Sequence, residues 1–235
     1  MAEKNKITRL LQIGIIGALL IFIGDVLMGW GVRNPELSGM EGQLSAYLTV
    51  SDGRMVFASI LGFIGVPLAV IGHYGIYKLM KPYSKHHARL YGLGMLGFLA
   101  FGGAGVHASS IEAAFVYKYI SIGKVSFISK FALYFLLPMY VILIFCWIMM
   151  VYAHMSAILK GSSPFPRWSW IFSMLPATLA FSFVGLFGNY EIVNALVMGA
   201  FSLGNIWTLC THLLLVHTNK LRNETCCLKG LDNKL

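Results

Sequence analysis

Asp25 lies inside LLQIGIIGALLIFIGDVLMGWG, an apolar run of about 22 residues, where a carboxylate in hydrocarbon needs a partner or a use. A second carboxylate, Glu112, and an imidazole, His107, sit in another apolar run. A carboxylate beside an imidazole in a low-dielectric site can exchange protons as a general acid and base, and a carboxylate alone can serve as the counter-ion of a bound cation. At ~1.5 Å per residue, measured from Arg33 and Lys118 as outer markers, Asp25 and Glu112 lie about 9–12 Å deep and His107 roughly 16 Å. All three can share one pocket. Ser109 falls on the Glu112 face by helical spacing, whereas His107 is ~140° away and must meet Asp25 or another helix. Asn189, Glu191 and Asn194 surround the last hairpin, with Asn205 and Thr208 deeper in the helix that follows. The candidate ligand-binding set is therefore Asp25, His107, Ser109, Glu112, Asn189, Asn194 and Asn205.

A second constellation is His73, His154 and His212, which precede Lys78, Lys160 and Lys220 by five, six and eight residues and so share a depth near the opposite surface. Three imidazoles can hold a metal ion, and two can ligate a haem iron, but interfacial histidines are common enough that no cofactor is predicted. His212 and His217 point to different faces, and His86 and His87 form a loop pair.

The elements that must position these groups follow from composition. With 57% hydrophobic and 11% charged residues and a mean hydropathy of +0.73, the chain is an integral membrane protein. Six continuous apolar stretches, at about 9–31, 56–80, 90–117, 127–154, 168–189 and 193–217, each approach or exceed the ~20 residues of a spanning helix, and their continuity excludes a β-barrel. The expected fold is all-α, a six-transmembrane-helix bundle forming one domain over residues 1–235. The first run is too long for the core of a cleaved signal and stays as a helix. Lys4, Lys6, Arg9, Lys78, Lys81, Lys85, Arg89, Lys160, Arg167, Lys220, Arg222, Lys229 and Lys234 fall on one side, against Arg33, Arg54, Lys118, Lys124 and Lys130 on the other. Both termini are thus expected in the cytoplasm of a cell-membrane protein. The net charge of +9 then reflects topology and attraction to anionic membrane lipids, not nucleic-acid binding.

Gly14, Gly17, Gly62, Gly65, Gly94 and Gly97 predict close helix approach, and Pro67, Pro138 and Pro176 predict interrupted spans. Residues 32–55 form the one long loop, a short interfacial helix or a lid. Cys146 and Cys210 read as small apolar residues, Cys226 and Cys227 as a tail or a palmitoylation pair, and the 223–225 sequon as unused on the cytoplasmic side. The chain lacks HExxH, a P-loop, GxSxG and CxxC, and also the paired HxxxH of membrane hydrolases of the alkaline ceramidase and adiponectin-receptor type. GDVLMGW at 24–30, KLMKP at 78–82 and SLGNIW at 202–207 resemble an uncharacterised group of bacterial six-span membrane proteins, a resemblance that implies an architecture and no activity.

Two functional classes fit. One is binding or transport of a small cationic or polar solute in an outward pocket. The other is a metal-independent, isomerase-like enzyme on a lipid or isoprenoid, with Asp25 or Glu112 as acid or base and His107 as its partner.

Overall fold

The computed structural model describes residues 2–119, 125–218, 220 and 221. Lys124, the charges from Arg222 onward, the 223–225 sequon, Cys226 and Cys227 lie outside the described residues.

Every regular element among the described residues is helical, which is how a chain this apolar satisfies its backbone polar groups away from water. Helix α1 (Ala2–Gly29) is followed by the short α2 (Gly39–Ser45) and a 3-10 turn, Ala46–Thr49, both inside the long loop. Helix α3 spans Asp52–Met80 and starts at Ser51, whose Oγ accepts from the backbone N–H of Arg54 at 3.4 Å. Helix α4 (Lys85–Phe101) runs through a π-turn, Gly102–Ala108, into α5 (Ser109–Tyr119). Helix α6 (Val125–Phe131) and a second π-turn, Ala132–Leu136, lead into α7 (Leu137–Leu159). Pro138 has no N–H to offer the preceding turn, which accounts for the irregular ladder there. Gly161, at φ +68°, ends α7 in the left-handed conformation.

Among the described residues four helices are long and apolar enough to cross a membrane, Glu3–Gly29, Asp52–Met80, Lys85–Tyr119 and Phe127–Leu159; a fifth is added if α9 (Glu191–Met198) and α10 (Ala200–His217), which meet at 60°, form one broken span. The stretch 168–189, expected as a full span, is instead a 3-10 turn at Arg167–Phe172, the nine-residue α8 (Met174–Ser182) and another 3-10 turn at Phe183–Phe187. Pro176 explains the start of α8, because its missing N–H is tolerated only in a first turn.

Small residues set the seams. A Cβ on Gly14 would lie 2.3 Å from the Cα of Gly72, and one on Gly17 2.3 Å from the amide nitrogen of Ala69, so α1 and α3 touch backbone to backbone. On the other side Gly97 makes room for Cys146, whose Sγ would be 2.1 Å from an added Cβ, and this joins α4 to α7. Polar ties close the two ends. Lys118 binds Asp52 at 2.6 Å and Asn189 holds Arg33 at one end; Lys78 binds Glu3 at 2.9 Å and Lys4 donates to the His217 carbonyl at 3.3 Å at the other. The start of α1 and the end of α10 therefore share the Lys78 end.

Candidate functional site

Asp25 is turned from α1 into the bundle. Its Oδ2 accepts a hydrogen bond from the Ser202 hydroxyl of α10, and its Oδ1 stands 3.5 Å from Nδ1 of His107. Among the described residues His107 is the only basic side chain within ion-pair reach of this carboxylate, and it pairs as an ion only when its ring is protonated. The imidazole is placed by the π-turn, which carries one extra residue and re-phases the helix so that His107 faces α1 and α3. Its Nε2 lies 3.1 Å from the Ala58 carbonyl, which can only accept, so that nitrogen carries a proton. The ring needs a notch to reach this place. Gly62 supplies it, since a Cβ there would lie 1.9 Å from Cδ2 of His107.

The pair opens on a cavity of about 490 Å³ between α1, α4, α7, α9 and α10. Its walls are largely aromatic and aliphatic, with Phe98, Tyr140, Trp147 and Phe201 foremost. Asp25, His107, Ser202, Asn205, Ser110 and Asn194 are its polar groups, and Arg33 and Tyr47 stand toward the loop end. Burial, offset in part by the Arg33 guanidinium, raises the Tyr47 phenol above its ordinary range, so Tyr47 presents a neutral hydroxyl. Trp147 and Phe201 meet edge to face at 5.1 Å and join α7 to α10; toward the Arg33 end, Tyr140 and Met198 line the cavity from α7 and α9 and are both exposed on the flank of the bundle.

Three expected members are not part of this arrangement. Glu112 is exposed on α5 and does not line the cavity. Ser109 spends its hydroxyl on the Ala104 carbonyl at 3.0 Å, and its neighbour Ser110 lines the cavity instead. Asn189 is occupied outside the cavity, bonding the Arg33 carbonyl at 3.1 Å and accepting from the Asn194 amide at 2.9 Å. Asn194 both lines the cavity and clamps the loop through the Gly31 carbonyl at 2.8 Å, while Asn205 lines its floor. Ser202 and the aromatic wall escaped the sequence reading. Ser202 had a signal, since it lies three residues before Asn205 and so on nearly the same face of α10.

The inner histidines do not converge on one point. His73 bonds the Tyr91 hydroxyl at 2.7 Å and Asn205 Oδ1 at 2.8 Å, whereas His154 and His212 face each other with their Nε2 atoms 2.9 Å apart. That is a direct hydrogen bond, shorter than the separation of about 4 Å that two axial ligands keep across an iron at Fe–N distances comparable with the ~2.0–2.1 Å of zinc. Among the described residues no group of three or more His, Cys, Asp and Glu side chains is placed to hold a metal ion. The three candidate metal ligands His73, His154 and His212 are therefore not gathered around one point: Asn205 and Tyr91 claim His73.

A family model described as a family of unknown function, DUF6796, matches residues 1–219, and the chain belongs to that family. No curated protein and no solved structure matches it.

Proposed function

We propose that this member of the DUF6796 family is a multi-pass membrane protein that binds an amphiphilic organic cation in the cavity at Asp25. The observation that carries the reading is a carboxylate whose near partners are a serine hydroxyl and one imidazole, facing a cavity walled by Phe98, Tyr140, Trp147 and Phe201. A buried carboxylate attracts a cation, and an aromatic face adds ~0.5–1 kcal/mol at an exposed site and ~2 kcal/mol when desolvated. A strongly hydrated metal cation or an anion gains little from such walls. Tyr140 and Met198, exposed where the cavity meets the bundle flank, support entry of a ligand with an apolar portion from the bilayer.

The supporting topology is six crossings of the cell membrane by a single domain, the fifth and sixth broken at Pro176 and Gly199, with both termini cytoplasmic at the Lys78 end. The clustering of Lys and Arg at that end favours it. A second reading is acid/base chemistry on a lipid or isoprenoid. It draws on the His107 ring, whose Nε2 is anchored on Ala58 while Nδ1 is left toward Asp25.

The experiment is a melting screen of purified wild type and Asp25→Asn against quaternary amines, polyamines, sterols and isoprenoids. A ligand at about 100 times its Kd stabilises the folded state by about 2.7 kcal/mol. An alkyl or aryl amine that raises the melting temperature of the wild type alone supports the reading. Equal shifts in both proteins, or stabilisation by neutral isoprenoids only, would overturn it.

A further inference from the structure

The charged groups of the Asp25 cavity stand in a fixed order. Asp25 lies four residues before the end of α1 at Gly29, a rise of ~6 Å, and Arg33 follows after a further four residues at the loop end. Tyr47, from the turn after α2, lines the same cavity. Burial is the main cause that raises the pKa of its phenol; within that rise the Arg33 guanidinium pulls it down and the Asp25 carboxylate pushes it up, so Tyr47 lies in the field of both charges.

The two groups at the loop end are not spent inside the protein. Among the described residues no hydrogen bond or ion pair engages the Arg33 guanidinium or the Tyr47 hydroxyl, and the contacts of Arg33 to Asn189 are made by its backbone. Other bases at the bundle ends are engaged: Lys118 with Asp52, Lys78 with Glu3, and Arg54 with the Leu27 carbonyl. A guanidinium offers its N–H donors in a planar fork that matches a phosphate, and a neutral hydroxyl adds one more. The cavity thus carries a carboxylate within the bundle and a guanidinium at its loop end, and a plain cation uses only the first.

We infer that the ligand is a zwitterionic phospholipid-type amphiphile taken headgroup first, with its terminal ammonium at Asp25, its phosphate at Arg33 and Tyr47, and its chains leaving past Tyr140 and Met198 into the bilayer. This deepens the cation reading and rests on it. An ammonium and a phosphate joined by two carbons, with a hydrogen bond of ~3 Å at each end, reach across on the order of 10 Å, a span that the ~6 Å rise to Gly29 and the loop beyond it accommodate. The exposed flank at Tyr140 and Met198 lies toward the Arg33 end. The chains therefore attach on the phosphate side, as they do in ethanolamine and choline phospholipids, and not on the amine, as in an alkyl ammonium. At about 490 Å³ the cavity falls within the ~300–1,000 Å³ of small-molecule sites and leaves the chains of a lipid outside.

The test titrates full-length protein in neutral maltoside detergent, by calorimetry, with decylphosphocholine, decyltrimethylammonium and decyl phosphate, each below its micelle concentration, and with phosphocholine, which has no chain. Wild type should bind decylphosphocholine about tenfold more tightly than decyltrimethylammonium, the scale of one charge-assisted contact, and decyl phosphate more weakly than either. Arg33→Gln, at an exposed side chain, should weaken decylphosphocholine about tenfold. It should leave decyltrimethylammonium unchanged or tighter, since the guanidinium repels a plain cation, a pattern that misfolding cannot imitate. Tyr47→Phe should weaken decylphosphocholine alone, by a smaller factor. Equal wild-type affinities for decylphosphocholine and decyltrimethylammonium, or an Arg33→Gln variant that binds both as wild type does, would overturn the zwitterion, while Asp25-dependent binding of decyltrimethylammonium kept the cation reading intact. Phosphocholine binding as tightly as decylphosphocholine would overturn the lipid in favour of the free headgroup. Decyltrimethylammonium binding equally to wild type and Asp25→Asn would sink the cation reading and the zwitterion with it.

Discussion

The two halves of the bundle handle buried polarity in opposite ways. Toward the Arg33 end, Asp25 and His107 are held by few partners and face open volume; toward the Lys78 end, His73, His154 and His212 are packed among rings and bond one another or fixed carbonyls. Groups that face a cavity keep bonding capacity that the bundle itself does not use. Groups whose bonding is nearly closed hold helices in register and restrict proton positions. The contrast extends to the neighbours, since Phe165 seals the lower pair at 4.2 Å from His212 while Trp147 and Phe201 leave the upper cavity open above them.

The seam shared by both halves should be the most sensitive place. Gly17→Val drives a side chain into the α3 backbone, where no rotamer change relieves it, and should cost about 3 kcal/mol or more, read as a large fall in melting temperature with both sites lost. Gly62→Ala is the sharper variant. Its methyl displaces the His107 ring only, so we expect about 1–3 kcal/mol of destabilisation together with loss of any amine-induced stabilisation, while the lower histidines keep their bonds. His154→Leu probes the other half. It leaves the His212 Nε2 acceptor unpaired in a dry site and should cost about 1–3 kcal/mol, with amine-induced stabilisation unaltered. Asp25→Asn should have the smallest effect on folding, under about 1 kcal/mol, because an amide oxygen can still accept from Ser202 and its N–H₂ can face His107 Nδ1. If Asp25→Asn instead proves as destabilising as His154→Leu, the upper half is structural too and the contrast between the halves disappears.

Much of the helical architecture was legible because hydrocarbon imposes a length and a polarity on each segment. The runs that became α1, α3, the α4–α5 pair and the α6–α7 pair could be read directly, as could the glycine seams at Gly14, Gly17 and Gly97. The 168–189 stretch is apolar enough to be read as a span but is not one continuous helix, since hydropathy counts apolar residues and does not register that Pro176 permits a helix only from its own first turn onward. Around the cavity, Asp25 could be picked out by its cost alone, and His107 as its partner by depth. Glu112 and Ser109 were grouped with them because depth was the criterion, and a shared depth does not say which helix face meets the cavity.

Local composition by itself therefore determined that the chain is helical and apolar enough for a membrane, where its helices can touch, and which polar residues are too costly in hydrocarbon to lack a partner. The tertiary structure alone decided which of those residues meet. Helix rotation and helix neighbours are set by side chains far apart in the sequence acting in combination, so the sequence could put His73, His154 and His212 at one depth, but only packing could assign His73 to Asn205 and Tyr91 and leave His154 and His212 to each other.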